Sequence, residues 1–333
     1  MNQVDVIAEV GSVHDGSLGN AHCLIDVAAD CGADVVKFQT HLAECETLPD
    51  APMPPYFKGE PRFEYFLRTG FSREQWIELK EHCRQREIEF LSSPFSNEAV
   101  DLLEDVGVRR YKIGSGEMTN LPLLHHVAAT GKPIILSSGM SSWQELDAAM
   151  EAIGKHHNQI VLLQCTSEYP CPAANVGLDV MQQMRDRYQV PVGLSDHTLD
   201  LFAPIAAVAL GADVIEKHLT FSRKMYGSDA RHSMEPGPFS EMVRGIREVT
   251  VMRQSSVDKD ANAARLDEMK QIFEKSVVSI AAIEKDTQIT PEMITVKKPG
   301  TGIPARRLPE IVGMYATCRI PADTLLTEEM LRA

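Results

Sequence analysis

The chain has 333 residues, of which 44% are hydrophobic, and its 47 acidic and 33 basic residues give a formal net charge of −14. This length suits one large barrel with a small appended domain. The acidic balance argues against nucleic acid or an anionic membrane surface as the main partner. Seven scattered cysteines without a CxxC pair are typical of reduced thiols in a cytosolic protein.

The N-terminal stretch enters a strand-like sequence, DVIAEVG, without a charged and apolar leader. No apolar run approaches the length of a membrane span. We therefore expect a soluble, cytoplasmic protein without a membrane partner.

Eight short runs rich in β-forming residues recur along the chain. Each is too short and too apolar for a half-exposed antiparallel strand, and indicates a parallel strand buried on both faces. The predicted strands are Val4–Val10, Asp34–Phe38, Ile88–Leu91, Arg110–Ile113, Pro133–Leu136, Ile160–Leu163, Pro191–Leu194 and Asp213–Ile215.

Amphipathic segments lie between these runs, and several end in GAD or TGK, where glycine can terminate a helix. Clear examples are Ala21–Cys31, Ser72–Arg86, Trp143–Lys155 and Leu178–Arg187. Eight strands that alternate with helices predict an α/β fold, a closed (β/α)8 TIM barrel over residues 1–257. An open doubly wound sheet is the alternative architecture.

The alternation is interrupted once and then ends. Leu42–Phe71, rich in proline and aromatic residues, is predicted to be a long inserted loop after the second strand, of the kind that is usually functional or mobile. Residues 258–275 are strongly charged and predict a helical linker. Residues 276–333 are dense in β-formers, proline and glycine, which predicts a small β-rich domain.

Polar or ionisable residues lie at or just after the end of every predicted strand, where barrel enzymes carry their chemistry. A single strand-end serine or lysine is more often a turn or surface residue, and a lone histidine is more often a cap or a core residue. Such groups at all eight strands favour an active site. In chain order they are Glu9 and His14, Lys37 and Gln39, Ser92 and Ser93, Lys112, Ser115 and Glu117, Ser137, Thr166, Ser167 and Tyr169, Ser195 and His197, and Glu216 and His218.

These residue types indicate an anion site with acid–base groups. Lys37 and Lys112, together with hydroxyls next to glycine in GSGE and SSG, suit a phosphate or a carboxylate. Glu9 and Glu117 are candidate acid–base groups. The alternative for each carboxylate is an ion pair with one of the two lysines.

Two histidines, His197 in GLSDHT and His218 in IEKH, follow the seventh and eighth predicted strands. Adjacent strands of a closed barrel would bring these imidazoles to one divalent ion, with substrate or water completing the shell. Two protein ligands are fewer than a structural site needs, which suits an exchangeable Mn²⁺ or Mg²⁺.

Along these same stretches the sequence resembles the sialic acid synthase family, enzymes that condense phosphoenolpyruvate with an aldehyde sugar to make nonulosonic acids. The C-terminal stretch SVVSIAAIEKDTQIT resembles the antifreeze-like (SAF) domain of that family. The matching barrel stretches are IAEVGSVHDGSL, GADVVKFQTH, LSSPFS, YKIGSGE, GKPIILSSGM, QCTSEYP, GLSDHTLD, IEKHLT and SDARHSMEP.

The resemblance implies a role for each matching residue. It implies a metal held by His197 and His218, with Mn²⁺ the first expectation and Mg²⁺ or Co²⁺ the alternatives. It implies catalytic roles for Glu9, beside the metal-bound aldehyde or water, and for Glu117, which would also meet the sugar. The implied phosphoenolpyruvate ligands are Lys37, Ser93, Lys112, Ser115, Ser137, Ser167 and Ser195. The implied sugar ligands are Gln39, Tyr169, Asp229 and Lys298.

Two positions depart from the family pattern. Ser167 stands where family members commonly have asparagine, which would weaken one phosphate contact. Lys298 stands where many have the arginine that reaches the N-acetyl group of the sugar from the partner subunit, so the charge is kept but the planar fork is lost. These departures leave the reaction class in place and leave the sugar open.

The implied function is condensation of phosphoenolpyruvate with an N-acetylated amino-sugar, N-acetylmannosamine or a related hexose, in a homodimer whose SAF domain caps the barrel of the partner. The alternatives are a barrel synthase for another or a phosphorylated aldose, a Schiff-base aldolase that uses Lys37 or Lys112, and a catalytically silent sugar-binding module in polysaccharide assembly. The C-terminal domain argues against the phosphorylated-aldose synthase.

Overall fold

The structure is a computed structural model that describes residues 3–52, 57 and 59–333. It contains two compact units, residues 1–255 and residues 256–333. None of the helices in the described ranges is long and apolar enough to cross a membrane.

The first unit is built on eight parallel strands that close into a barrel. The hydrogen-bonded order is β3-β2-β1-β8-β7-β6-β5-β4, and the two end strands, β3 and β4, also contact each other. The predicted barrel is therefore confirmed. The strands are β1 (Asp5–Gly11), β2 (Val35–Thr40), β3 (Glu89–Pro94), β4 (Tyr111–Ile113), β5 (Ile134–Ser137), β6 (Ile160–Cys165), β7 (Val192–Asp196) and β8 (Val214–His218).

Helices follow the strands and bury their apolar sides against the outside of the barrel. Local sequence fixes their starts: Ser72 and Ser142 each form a capping box, with Gln75 and Glu145 respectively. The helices are α1 (Leu18–Asp30), α2 (Ala43–Glu46), α3 (Arg62–Thr69), α4 (Arg73–Gln85), α5 (Asn97–Val106), α6 (Leu121–Ala129), α7 (Trp143–Gly154), α8 (Leu178–Tyr188), α9 (Phe202–Ala209) and α10 (Pro236–Gln254).

Two features of the first unit differ from the sequence expectations. The segment predicted as one long loop contains α2 and α3, and α3 packs through its buried Tyr65. Residues 53–56 and 58 of that loop lie outside the described residues. In addition, β2, β3, β6, β7 and β8 continue two or three residues beyond their predicted ends, since the barrel buries polar side chains there.

The second unit begins with two short helices, α11 (Lys259–Arg265) and α12 (Asp267–Phe273), within the segment predicted as a helical linker. Two small antiparallel sheets follow, β9 (Ser276–Ser279) with β10 (Ile294–Lys297), and β11 (Tyr315–Ala316) with β12 (Leu331–Arg332). The predicted small β-rich domain is thus confirmed. Its own core is Val277, Ile283, Ile289, Ile294, Ile303, Ile311, Ala316, Ile320, Leu326 and Leu331.

Candidate active site

The side chains that point into the barrel form an apolar layer and, above it, a polar layer. The apolar layer is Ile7, Val35, Leu91, Ile135, Leu163 and Val214, one residue from each of six strands. Alternate residues of a strand share a face, so the residues two positions later also point inward, at the C-terminal ends of the strands. They are Glu9, Lys37, Ser93, Ser137, Cys165 and Glu216.

A cavity of about 470 Å³ opens above this polar layer. It brings together most of the residues that the sequence and the resemblance select. Those that line it are Glu9, Lys37, Gln39, Ser93, Lys112, Ser115, Ser137, Ser167, Tyr169, Ser195, His197, His218 and Asp229.

Two lysines and two carboxylates form the floor of the cavity, and all four side chains are buried. The Nζ of Lys37 lies 2.7 Å from Glu9 Oε2 and 3.9 Å from Glu216 Oε2. The Nζ of Lys112 lies 3.6 Å from Glu216 Oε1 and donates to its neighbour's carbonyl oxygen at 3.1 Å. The ion pair weighed as an alternative role for Glu9 is therefore present, within the cavity.

This arrangement shifts the pKa values of the two lysines and of Glu216. Burial lowers the pKa of Lys37, but the Glu216 and Glu9 carboxylates outweigh it and hold that pKa above its usual value. Burial and the charge of Lys37 hold the pKa of Lys112 below its usual value, despite the attraction of Glu216. Burial raises the pKa of Glu216, but the two ammonium groups outweigh it and hold it low. Lys112 is thus the less compensated of the two cations.

Hydroxyl groups surround Gly139 on one wall. A Cβ atom at Gly139 would lie 2.1 Å from Ser115 Oγ and 2.3 Å from Ser167 Oγ, so only glycine allows these two hydroxyls to lie this close to the chain. Ser137 Oγ is buried, and the described residues give it no hydrogen-bond partner. These serines line the same cavity as Lys112, and hydroxyl donors beside a lysine form a cradle for an anionic group.

The two histidines lie together at the ends of β7 and β8, with ring centroids 5.6 Å apart. His197 Nδ1 donates to the carbonyl oxygen of Thr166 at 2.8 Å, which leaves the Nε2 lone pair for another partner. His218 Nδ1 is buried, and the described part of the chain offers it no hydrogen-bond partner. These imidazoles fit a divalent ion. No group of three or more His, Cys, Asp or Glu side chains suited to a metal occurs among the described residues.

Carboxylate and aromatic groups surround the histidine pair. The Tyr169 ring packs on His197 with centroids 4.1 Å apart. Burial lowers the pKa of His218, and the nearby Asp229 and Glu9 carboxylates oppose that shift. Asp229 Oδ2 accepts a hydrogen bond from the backbone N–H of Ser12 at 2.9 Å, which fixes it beside the end of β1.

Two predicted site residues lie elsewhere. Glu117 ends a 3-10 turn after β4 and lines a separate polar cavity of about 390 Å³, where it accepts a hydrogen bond from Asn120 at 2.8 Å. Burial raises its pKa. Arg62 and Phe95 line both cavities, so the two adjoin. Lys298 belongs to the second unit, where its Nζ lies 4.8 Å from the centroid of the Phe273 ring.

Several residues of the cavity carry no role in the sequence prediction. Glu216 is the most important, since it lies between the two lysines; the alternation of β8 could have identified it, because it shares a face with His218. The others come from segments that are predicted only as loops, where no hydrophobic periodicity indicates which way a side chain points. They are Ser12, His41, Arg62, Tyr65, Phe66 and Ser228.

A barrel with this cavity at the C-terminal ends of its strands belongs to the class of TIM-barrel enzymes. Residues 24–258 match the family model described as the NeuB family, and residues 274–332 match that of the SAF domain. The chain belongs to the NeuB family, which confirms the resemblance.

Individual relatives agree with this assignment. The chain is 38% identical to the N,N'-diacetyllegionaminic acid synthase of Campylobacter jejuni, over 98% of this chain and 100% of the relative. It is 34% identical to the enzyme of the same name from Legionella pneumophila, over 98% and 94%. The crystal structure of the N-acetylneuraminic acid synthetase of Leptospira borgpetersenii superposes with a TM-score of 0.71 at 31% identity, over 81% of this chain and 92% of that one. The prediction that the chain is a sugar acid synthase is confirmed.

Proposed function

We propose that this chain condenses phosphoenolpyruvate with an N-acetylated amino-sugar aldehyde to give a nonulosonic acid and phosphate. The observation that carries the proposal is the pair of buried lysines, Lys37 and Lys112, beneath hydroxyl groups in one cavity with two histidines. A compact, highly charged anion and an oxygen-rich aldehyde are the substrates that such a cavity suits.

We assign phosphoenolpyruvate to the lysine side of the cavity. Lys112 has N–H donors beyond the one used at its neighbour's carbonyl, and its charge is the less compensated. Ser137 Oγ and the hydroxyls beside Gly139 add donors for the phosphate or the carboxylate. The proposed ligands are Lys37, Ser93, Lys112, Ser115, Ser137, Ser167 and Ser195.

The reaction joins C3 of phosphoenolpyruvate to the aldehyde carbon, and the aldehyde oxygen takes a proton to become a hydroxyl. Water adds at C2, and the C2–O bond to phosphate then breaks, so the bridging oxygen leaves with phosphate. Glu9 is the proposed proton-handling group, since it lies beside Lys37 and pairs in register with His218. A role for Glu117 requires the sugar to reach the adjoining polar cavity.

We propose that His197 and His218 hold a divalent ion, Mn²⁺ first, with Mg²⁺ or Co²⁺ as alternatives. When bound, such an ion supplies Lewis-acid polarisation of the aldehyde oxygen. The residues themselves orient the acceptor: Tyr169 packs on the histidine pair, and Gln39 and Asp229 present polar groups to the same space. His197→Ala and His218→Ala should each abolish metal-dependent turnover, and full activity of either variant in chelator would overturn the metal assignment.

The acceptor is proposed to be N-acetylmannosamine or a diacetamido-trideoxyhexose. The relatives named for N,N'-diacetyllegionaminic acid support the second sugar, and the relative named for N-acetylneuraminic acid supports the first. Phosphate release from phosphoenolpyruvate across a panel of amino-sugars tests the function and identifies the acceptor together. No release with any of them would overturn the proposal.

Two further measurements separate this reaction from its rivals. Phosphoenolpyruvate labelled with ¹⁸O at the bridging position should deliver the label to phosphate, and label retained in the sugar acid would contradict C–O cleavage. A Schiff-base aldolase would instead form an adduct between pyruvate and Lys112 or Lys37 that borohydride traps, and we expect no such adduct.

The family resemblance further supports a cytoplasmic homodimer in which Lys298 of one subunit reaches the sugar bound by the other. A mixture of Lys298→Ala and Lys112→Ala chains tests this arrangement. Mixed dimers would contain one barrel with an intact lysine floor and one intact second unit, so activity should reappear on mixing. Two inactive parents that stay inactive in a proven mixed dimer would contradict action between subunits.

A further inference from the structure

One ion pair and three hydrogen bonds connect the lysine floor of the cavity to α2. Lys37 Nζ lies 2.7 Å from Glu9 Oε2, and Gln39 Nε2 donates to Glu9 Oε1 at 2.7 Å. Gln39 Oε1 lies 3.1 Å from His41 Nε2. His41 Nδ1 in turn lies 2.6 Å from Glu46 Oε1. Five side chains are therefore connected without a gap.

The direction of each bond follows from the first. Glu9 is ionised by its ion pair with Lys37, so it can only accept. Gln39 must then turn its NH₂ group to Glu9 and its carbonyl oxygen to His41. A carbonyl oxygen also only accepts, so His41 Nε2 carries a hydrogen.

The other ring nitrogen faces a carboxyl group. Glu46 accepts at Nδ1 when it is ionised, so that nitrogen carries a hydrogen as well, and His41 is an imidazolium. The same bonds could be drawn with a neutral imidazole and a protonated Glu46. The ring of His41 lies between two aromatic faces, which favour the form in which the histidine carries the positive charge.

Aromatic packing supports this charge state. The His41 ring is stacked on Phe66 at 3.8 Å and 6°, and on Phe95 at 4.1 Å and 14°. A cation between two aromatic faces is attracted by both ring quadrupoles. The His41 and Glu46 side chains are only 8% and 5% exposed, so the two charges are paired away from water.

Other charged groups of the described elements surround this pair. The adjoining cavity is lined by both Glu46 and Glu117, and the charge of His41 helps to hold down the pKa of Glu117 against burial. Arg62 lies over the Phe66 ring, 5.3 Å from its centroid. His14 on the other side is buried, which lowers its pKa to about 4, so it is neutral at neutral pH.

We propose that His41 is an imidazolium at neutral pH and a positioning residue that fixes the Gln39 amide. With its carbonyl oxygen held by His41 and one N–H bound to Glu9, Gln39 turns its second N–H toward the cavity. The acceptor sugar therefore meets a hydrogen-bond donor at this position and must present an oxygen that accepts. The role toward the sugar rests on the proposed function, whereas the charge of His41 does not.

The charge is tested on the substrate-free protein by ¹⁵N NMR of histidine-labelled chain, with His41 assigned from its backbone. We expect both ring nitrogens of His41 to show imidazolium shifts at neutral pH. Glu46→Gln should reduce the imidazolium signal of His41 at the same neutral pH, because the counter-charge is gone. Glu44→Gln removes the same charge from an exposed position of α2 and should change nothing. A neutral His41 in the wild type at neutral pH would overturn the proposal, whatever the variants do.

The positioning role is tested by steady-state kinetics with N-acetylmannosamine or a diacetamido-trideoxyhexose, whichever the wild type converts. Glu46→Gln should raise the KM for the sugar by roughly three- to tenfold, as for one weakened hydrogen bond. The KM for phosphoenolpyruvate should stay unchanged, since Lys37 and Lys112 keep their partners. Equal loss for both substrates would indicate a merely structural role. If the wild type converts neither sugar, the proposed function fails while the NMR result still decides the charge of His41.

Discussion

At the scale of single residues, the close contact of Gly139 with two serine hydroxyls is the most sensitive point of the proposed phosphoenolpyruvate site. A methyl group there would lie within 2.5 Å of both the Oγ and the Cβ of Ser115. Gly139→Ala should therefore raise the KM for phosphoenolpyruvate by roughly a hundredfold, the equivalent of about 2–3 kcal/mol of overpacking. The measurement is initial rate against phosphoenolpyruvate concentration.

Gly116 provides the matched control, because it lines the same cavity but has nothing within 4 Å of an added Cβ. Gly116→Ala should leave the KM for phosphoenolpyruvate close to that of the wild type. If both variants raise it equally, the hydroxyl cradle at Gly139 is not where the substrate binds.

The charge of Lys112 predicts the pH dependence of phosphoenolpyruvate binding. Burial and Lys37 lower its pKa, so Lys112 loses its charge at a lower pH than an exposed lysine does. Affinity should accordingly fall as pH rises through that lowered pKa. Lys112→Arg should abolish this alkaline fall, since arginine stays protonated. Calorimetric titration with phosphoenolpyruvate measures it without turnover.

A surface substitution controls for the change of residue type. Lys132 forms a partly exposed ion pair with Glu104, away from the cavity. Lys132→Arg should leave the fall of phosphoenolpyruvate affinity at alkaline pH at the same pH as in the wild type. The same fall in the Lys112→Arg variant as in the wild type would show that another group binds the anion.

At the scale of elements, β7 and β8 approach so closely that only glycine fits between them. A Cβ atom at Gly193 would lie 2.0 Å from the carbonyl oxygen of Val214 and 2.8 Å from Leu163 Cδ2. Gly193→Ala should push β7 from β8, lower the free energy of unfolding by roughly 3 kcal/mol, and weaken Mn²⁺ binding by His197 and His218. Denaturant unfolding and Mn²⁺ titration measure the two effects.

Gly154, at the end of α7, has nothing within 4 Å of an added Cβ. Gly154→Ala should raise the free energy of unfolding by about 0.5 kcal/mol, because alanine restricts the unfolded chain. Wild-type stability and Mn²⁺ affinity in the Gly193→Ala variant would mean that β7 and β8 are not held at this distance.

The elements also explain how far sequence alone could go. Apolar runs that alternate with amphipathic segments are enough to predict the barrel, because a strand buried on both faces is apolar along nearly its whole length. The same pattern predicts that β8 ends at Ile215, because the apolar run stops before the charged residue Glu216. It therefore could not show that Glu216 points inward while Lys217 points outward to its ion pair with Asp196.

The loops are the second feature that the sequence alone does not predict. Glu9 lies near the end of the predicted strand Val4–Val10 and Glu117 follows the predicted strand Arg110–Ile113, and the sequence gives both the same candidate acid–base role. Glu9 lies within β1 and points into the barrel, whereas the chain turns into a 3-10 helix after β4 and Glu117 lines the adjoining cavity. The surroundings of His41 could not be predicted from its own segment either, because Phe66 of α3 supplies one of the ring faces that enclose it. The direction of a side chain in the loop after a strand depends on tertiary packing, which the hydrophobic periodicity of the sequence does not indicate.

At the scale of the whole molecule, each of the two units has its own hydrophobic core. A unit with its own core can unfold cooperatively by itself. We therefore expect calorimetry of the full chain to show two thermal transitions. A fragment of residues 256–333 should fold alone and give a dispersed NMR spectrum, although a domain of this size is of marginal stability.

Core substitutions assign the transitions. Ile311 is buried in the core of the second unit, and Ile246 in that of the first. Replacing either by alanine should cost roughly 2–5 kcal/mol through lost burial and the cavity left behind. Ile311→Ala should lower the midpoint of one transition only, and Ile246→Ala that of the other. A single transition shifted by both variants would mean that the units unfold together, and that the second unit owes its stability to more than its own core.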